Sequence, residues 1–257
     1  MNEPAPNTLP EDLPHLPTAE ELPCEDGIPL ETAKHRHQME LLTSTLCLHW
    51  SDRTDYYTGG NMFLYFSLLQ TKRNDFRGPD FFVVLGTDNH PRKSWVMWEE
   101  EQAPDVVVEL TSPSTREEDT TRKKVVYGQR LRVPFYFIFD PDTGELDGYR
   151  LDLSRMEYVP LEPTPEGRLP CDRLGLDLGL WDGIHRNTPG PWLRFYTRDG
   201  VLLPSPEEAL VQEATRAQQE ATRAQQEAAA RHLAEARIAE LEAKLRALQG
   251  DPGSSQP

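Results

Sequence analysis

The chain has 257 residues, and its 43 acidic residues outnumber its 27 lysines and arginines, for a formal net charge of −16. This balance argues against broad electrostatic binding of nucleic acid, which normally uses a basic surface, although bound divalent cations can change the local field. The three cysteines are far apart and match neither a disulfide framework nor a zinc site. No signal peptide and no apolar run of the ~20 residues that a membrane span needs are visible, so a cytoplasmic protein with no membrane partner is expected.

The N-terminal segment, residues 1–30, is rich in proline and acid and has no lysine or arginine. Such a segment buries too little apolar surface to offset the entropy of ordering it, so a disordered or loosely draped arm is predicted. A globular domain is predicted over residues 31–204. It begins with a helix from about Thr32, where apolar residues recur at the spacing of one helical face.

The rest of the domain alternates between apolar runs and turn signals. Strands are predicted over residues 61–69, 80–85, 94–98, 105–110 and 133–140, followed by a hairpin of 145–151 and 156–160. A helix is predicted between the last two of the five strands, over residues 115–131. The end of the domain, which contains Trp181 and Trp192, is predicted to be less regular.

Two of these strands carry acidic residues. In the run 104–110, Asp105 and Glu109 lie on the same face because successive side chains of a strand alternate. Asp80 follows a proline and opens another apolar strand. Burying a carboxylate is costly unless a metal, a cation or hydrogen bonds compensate. The pattern therefore predicts a site for a hard metal ion, suited to phosphate chemistry.

Asp80 and Glu109 are the predicted ligands of Mg²⁺, or of Mn²⁺ in its place. One or two carboxylates are enough for such an ion, because it keeps several water ligands and binds the substrate phosphate. Asp105 is either a third ligand or a residue that only starts its strand. Phosphodiester hydrolysis also needs an activated water and neutralisation of the phosphate charge, and a nearby lysine would stabilise that charge.

The order of these motifs resembles a known family. The segments Gly78-Pro79-Asp80-Phe-Phe-Val-Val and Pro104-Asp105-Val-Val-Val-Glu109-Leu-Thr-Ser112-Pro113-Ser114 are similar to the Uma-two family of putative restriction endonucleases, and the similarity continues through Asp119, Lys123, Tyr127 and Phe139-Asp140-Pro141 over residues 37–203. That family is placed in the PD-(D/E)XK nuclease superfamily. The resemblance implies an α/β fold in which a mixed β-sheet is flanked by helices, a restriction-endonuclease-like core, and it implies DNA as the partner.

The resemblance also implies roles for individual residues. Asp80 matches the aspartate of the first motif and Glu109 the acid of the (D/E)XK motif, but Thr111 stands where the superfamily has its lysine. Lys123, on the following helix, resembles a replacement for that lysine, which makes Asp80, Glu109 and Lys123 the implied catalytic set. The alternative for Lys123 is an ion pair with Asp119, one helical turn earlier.

Three further residues are placed by the same comparison and by spacing. Glu40 resembles the acid that many such nucleases carry on their first helix, and His37 could serve there instead; the choice is open at this point. Tyr127 lies on the same helical face as Lys123. It is interpreted as a core residue with a hydrogen-bonded hydroxyl group.

A C-terminal coiled-coil helix is predicted over residues 205–249. The seven-residue unit 214–220 is repeated at once as 221–227, and apolar residues then continue at spacings of three and four through Ile238, Leu241 and Leu245. This pattern predicts a homodimer or a higher homo-oligomer, the alternative being a lone exposed helix. A disordered tail is predicted over residues 250–257.

The sequence as a whole favours a Mg²⁺-dependent endonuclease-like protein that hydrolyses phosphodiester bonds in DNA. One alternative is a catalytically silent scaffold that keeps the nuclease fold, which Thr111 and the acidic surface favour. Another is a partner-binding protein in which the acidic arm and the coiled coil do the binding.

Overall fold

The computed structural model describes residues 15–24, 32–73, 78–112 and 115–249. It divides the chain into two compact units, one up to Ser205 and one from Pro206. The strands are β1 (Tyr56–Gly59), β2 (Leu64–Tyr65), β3 (Phe81–Leu85), β4 (Trp95–Val96), β5 (Val106–Leu110), β6 (Phe135–Phe139), β7 (Leu146–Asp152), β8 (Glu157–Pro160), β9 (Leu169–Cys171), β10 (Leu176–His185) and β11 (Thr188–Thr197).

The helices are α1 (Ala33–His49), α2 (Leu68–Arg73), α3 (Met97–Glu100), α4 (Arg116–Glu118) and α5 (Pro206–Gln249). Helix α4 continues into two π-helical stretches, Asp119–Lys123 and Val126–Leu131. We call this whole run, residues 116–131, the crossover helix, because it connects two parallel neighbours of the main sheet.

The main sheet has six strands in the order β1-β3-β5-β6-β7-β8. Strands β5 and β6 are parallel, and the other neighbouring pairs are antiparallel. A parallel pair needs a long connection, and the crossover helix provides it. The predicted fold class, a mixed sheet flanked by helices, is confirmed.

Strand β5 lies in the middle of this sheet and is buried along its whole length. Val106 and Val108 pack on one side, in a cluster that includes Leu42 of α1. Val107 packs on the other side, in a cluster that includes Tyr127 of the crossover helix. Since Glu109 lies on the same face as Val107, its side chain meets the crossover helix.

Helix α1 confirms the helix predicted from about Thr32. Thr32 is its N-cap, and its hydroxyl oxygen accepts a hydrogen bond from the backbone N–H of His35. The apolar face predicted from the spacing is buried at Leu42 and Leu46.

The strand predicted over residues 61–69 is wrong for most of its length. The structure has a strand only at Leu64–Tyr65, and helix α2 starts at Leu68. The side-chain oxygen of Gln70 accepts hydrogen bonds from the backbone N–H groups of Phe66 and Ser67, which turns the chain out of the extended conformation. Likewise, the strand predicted over 94–98 ends at Val96, where α3 begins.

The region predicted to be less regular contains a three-stranded antiparallel sheet of β9, β10 and β11. The hairpin of β10 and β11 turns at Arg186 and Asn187, which both have positive φ angles, of 47° and 61°. This is the backbone of a two-residue type I′ turn. Strand β11 was not predicted because it contains the segment Pro189-Gly190-Pro191, and proline and glycine are rare inside strands.

Part of the predicted N-terminal arm packs on the domain. Residues 15–24 form a turn in which Leu22 is buried in one cluster with Phe63. The indole N–H of Trp98 donates a hydrogen bond to the carbonyl oxygen of Pro17 at 2.8 Å. These ten residues are therefore draped, and disorder is the wrong prediction for them; the rest of the predicted arm lies outside the described residues.

The second unit contains helix α5, which has 44 residues. Its large apolar side chains are exposed, with more than half of the surface of Ile238, Leu241 and Leu245 accessible. The coiled coil stays a prediction, and the predicted tail, residues 250–257, lies outside the described residues. None of the helices in the described ranges is both long enough and apolar enough to cross a membrane.

Candidate active site

The register of β3 against β5 brings Asp80 and Glu109 together. Phe81 pairs with Val108 and Phe82 with Val107, so one further step of the antiparallel ladder sets Asp80 opposite Glu109. The backbone N–H of Leu110 donates to Oδ2 of Asp80 at 2.7 Å, and the charge of Asp80 is close enough to Glu109 to raise the pKa of that carboxyl group. Two acids that are 29 positions apart in the sequence thus form one pair.

Glu109 is shielded from water, and Asp80 is half-buried. Only 1% of the surface of Glu109 is accessible. Burial is the largest cause that raises the pKa of Glu109 to about 8; the neighbouring carboxylates of Asp80 and Asp119 act in the same direction, against the pull of the Lys123 ammonium group. Burial also raises the pKa of Asp80, to about 6. Near neutral pH the pair therefore tends to keep a proton, which a bound cation would displace.

Lys123 reaches the pair from the crossover helix. Its Nζ lies 3.0 Å from Oε2 of Glu109 and 2.7 Å from Oδ1 of Asp119. Burial disfavours the ammonium group, but the charges of Glu109 and Asp119 outweigh it and raise the pKa of Lys123. Lys123 thus forms the ion pair with Asp119 that its spacing predicts, and it also contacts Glu109.

Two tyrosines complete the surroundings. The hydroxyl group of Tyr127 donates to Oε1 of Glu109 at 2.7 Å, which confirms Tyr127 as a buried residue with a hydrogen-bonded hydroxyl. The hydroxyl group of Tyr136 donates to the backbone carbonyl oxygen of Asp119 at 2.9 Å. Tyr136 was missed in the sequence, because its nearness depends on the register of β6, where it pairs with Val107.

The chemistry of the donors fits a hard divalent cation. In the described ranges no three or more His, Cys, Asp or Glu residues form a ready-made metal cluster, and Asp80 and Glu109 are the residues that could hold a cation here. Their oxygens are what Mg²⁺ and Mn²⁺ prefer. The raised pKa values of both acids also mean that one lysine does not compensate their charge.

Comparison with known proteins identifies the family of this chain. A family model described as "Uma2: Putative restriction endonuclease" matches residues 13–185, more than half of the chain. The chain belongs to the Uma2 family. A solved structure that is similar to it is titled as a putative nuclease belonging to DUF820 from Anabaena variabilis, with 16% sequence identity, 57% of this chain and 76% of that chain covered, and a TM-score of 0.41. A search of curated proteins finds no match.

In this Uma2-family chain, Thr111 stands at the position where the sequence resemblance implies a lysine. Thr111 is fully buried, and its N–H donates to the carbonyl oxygen of Phe139 at 2.8 Å. Its hydroxyl group lies 3.4 Å from that of Thr115. Thr111 thus helps to hold the start of the crossover helix, while Lys123 brings a cation to Glu109 from that helix.

The structure separates Asp105 from the pair. Asp105 accepts hydrogen bonds from the backbone N–H of Leu85 at 2.7 Å and from Nε of Arg173 at 2.8 Å. It precedes Glu109 by four residues of a strand, a distance of about 13 Å at roughly 3.3 Å per residue. The alternative of a strand-start residue is therefore the right one, and Asp105 is corrected from a third metal ligand to a structural ion pair.

Glu40 and His37 have partners in the β10–β11 hairpin. Both oxygens of the Glu40 carboxylate accept hydrogen bonds from the guanidinium group of Arg186, at 2.7 and 2.8 Å. The ring of His37 packs edge-on against that of His185, with 6.5 Å between the centroids. These contacts do not join either residue to Asp80 or Glu109, so we leave both out of the site.

Proposed function

We propose that this Uma2-family protein is an endonuclease that depends on Mg²⁺ or Mn²⁺ and hydrolyses phosphodiester bonds in DNA. The observation that carries the proposal is the half-buried Asp80 opposite the fully buried Glu109 on neighbouring strands, with the Nζ of Lys123 at 3.0 Å from Glu109. A purely structural acid in the same strand would be neutralised outright, as Asp105 is by Arg173. Strongly perturbed carboxyl groups next to a specific charge are typical of functional sites.

Each residue of the site has a part in this chemistry. Asp80 and Glu109 would hold the cation, which when bound supplies positive charge to activate water and to neutralise the phosphate. Lys123 carries an ammonium group with three donors, which stabilises the negative charge that develops on the phosphate oxygens. Tyr127 holds one oxygen of Glu109 through its hydroxyl group and so orients the carboxylate.

The choice of DNA as substrate follows from the family description and is supported by a local reversal of charge. An open groove of about 840 Å³ lies beside the crossover helix, and Arg122, Lys124 and Arg130 are among the residues that line it, together with one acid, Glu157. In a chain with a net charge of −16, these three cations supply the kind of surface that contacts a phosphate backbone.

The test is titration of Mn²⁺ into the purified protein by calorimetry, followed by incubation with plasmid DNA and Mg²⁺ or Mn²⁺. We expect stoichiometric binding and nicking of the plasmid, both lost in the Asp80→Asn/Glu109→Gln double variant. Asp105→Asn is the matched control, because it removes a buried acid just before the same strand and should keep both activities. A parent protein that neither binds the ion nor nicks DNA with it would refute the proposal and favour the silent scaffold.

We further propose that α5 pairs with α5 of a second copy of the chain. Ile238, Leu241 and Leu245 follow one another at spacings of three and four and are all more than half exposed, and burying such side chains against a partner is favourable by about 25 cal/mol per Å². Leu241→Asp should shift the protein from dimer or higher oligomer to monomer in sedimentation velocity. Ala239→Asp, which lies on another face of the helix, should not.

A further inference from the structure

We propose that Asp119 is a positioning residue, which fixes the ammonium group of Lys123 beside the Asp80–Glu109 pair and does not itself hold the cation. The part of this inference that concerns metal affinity rests on the proposed function. The contact between Asp119 and Lys123 does not rest on the proposed function, so an experiment can refute the inference and the proposed function separately.

The first argument is the geometry of Asp119. Its surface is 1% accessible, and its Oδ1 lies 2.7 Å from Nζ of Lys123, closer than Oε2 of Glu109 at 3.0 Å. The ammonium group therefore lies between two buried carboxylates. An ion pair on an exposed helix would not need either acid to be buried.

The second argument is how firmly Asp119 is held. Tyr136 donates a hydrogen bond to its backbone carbonyl oxygen, and Tyr136 belongs to the fully buried strand β6. Asp119 also begins the π-helical stretch that ends at Lys123. Such stretches are uncommon and occur frequently at functional sites. The backbone at Asp119 thus has a defined position relative to the sheet, and the carboxylate that it carries lies 2.7 Å from Nζ of Lys123.

The third argument is the need for such a residue. Lysine is a point charge on a flexible four-carbon stem, and in this chain it comes from the crossover helix because Thr111 occupies the strand position. If a metal cation binds Glu109, the cation and Lys123 share that carboxylate. The positive charges of the cation and of the Lys123 ammonium group then repel each other. Asp119 is then the anion that keeps the ammonium group in place.

The experiment is a double-mutant cycle with Asp119→Asn and Lys123→Met on the full-length protein. The first readout is the dissociation constant of Mn²⁺ by calorimetry. We expect Asp119→Asn to weaken binding by about 10–100-fold, the range typical of residues that orient metal ligands, because Lys123 then falls back onto Glu109. In the Lys123→Met background the same substitution should have no effect, since the residue through which it acts is gone.

The second readout is the urea midpoint of the four proteins without metal. We expect the two substitutions to be strongly non-additive, with the double variant more stable than Asp119→Asn alone. If Asp119→Asn does not fold, recovery of folding in the double variant supports the inference and failure to recover overturns it.

Other outcomes overturn the inference. Equal losses of Mn²⁺ affinity in both backgrounds would make Asp119 a direct ligand, and no loss in either would make it irrelevant to the site. A parent that binds no Mn²⁺ would refute the proposed function, and the inference would then be decided by the urea cycle, where additive effects overturn it.

Discussion

Asp105 and Glu109 lie four residues apart at the two ends of one segment, yet their surroundings differ in kind. Asp105 pairs with Arg173, whose side chain is 51% exposed, and accepts a hydrogen bond from the N–H of Leu85. Glu109 is enclosed by the crossover helix and shares Lys123 with Asp119. The pattern of acids along an apolar segment thus identifies buried carboxylates, whereas residues distant in the chain set the charge around each of them.

The largest difference between the two acids is expected in Mn²⁺ binding and DNA cleavage by Glu109→Gln. The substitution removes a charged ligand but keeps the shape and the hydrogen bond to Tyr127, so Mn²⁺ binding and DNA cleavage should be lost with the far-ultraviolet circular dichroism unchanged. Asp105→Asn should keep Mn²⁺ binding and lose about 1 kcal/mol of unfolding free energy, because its ion pair is partly solvated. Loss of Mn²⁺ binding in Asp105→Asn would refute the assignment of Asp105 to a purely structural ion pair.

The next largest effect is expected from Lys123→Met. Removing the ammonium group should lower kcat for DNA cleavage by about 10²–10³-fold, the range for loss of one group that stabilises a developing charge. Mn²⁺ affinity should stay the same or increase, because a competing cation is gone. Lys124→Met is the control; Lys124 packs over the ring of Tyr149 and lines the groove, so its loss should raise KM and leave kcat unchanged.

The free energy of unfolding should also depend on pH through Glu109. Because the pKa of Glu109 is raised from 4.5 to about 8 by folding, the folded protein binds more protons than the unfolded chain between these values. Without metal, the free energy of unfolding should therefore fall as pH rises from about 5 to 8, while Mn²⁺ affinity should rise because the proton must leave. Chemical denaturation across this range should show a weaker fall in Glu109→Gln and the parental fall in Asp105→Asn.

A smaller effect is expected from Tyr127→Phe. The variant leaves Oε1 of Glu109 without the 2.7 Å hydrogen bond, so Mn²⁺ affinity should fall by about tenfold, at the lower end of the effect of such residues. Tyr158→Phe removes a comparable hydrogen bond, to the carbonyl oxygen of Val133, away from the pair. Calorimetry should give the parental affinity for Tyr158→Phe, and equal losses in both variants would mean that Tyr127 acts only through stability.

Much of the main sheet could be predicted because its strands carry a local signal. The dense apolar runs that became β3, β5 and β6 are buried on both faces and were read correctly, as was the helix between β5 and β6. The secondary-structure predictions are wrong where side-chain hydrogen bonds or turn residues outweigh the apolar pattern of the sequence. Gln70 bends the chain after Tyr65, and the Pro189-Gly190-Pro191 segment conceals a ten-residue strand.

The sequence alone singled out the candidate residues, since Asp80 and Glu109 stand out as acids in apolar runs and Lys123 as a lysine one helical turn from Asp119. Which of these candidates contact one another could be seen only in the folded protein. The antiparallel register of β3 and β5 joins Asp80 to Glu109, and the crossover helix brings Lys123 and Tyr127 to the same face while Arg173 neutralises Asp105. The physical reason is that alternation and helical spacing are local properties, whereas register and charge compensation depend on contacts between residues distant in the chain.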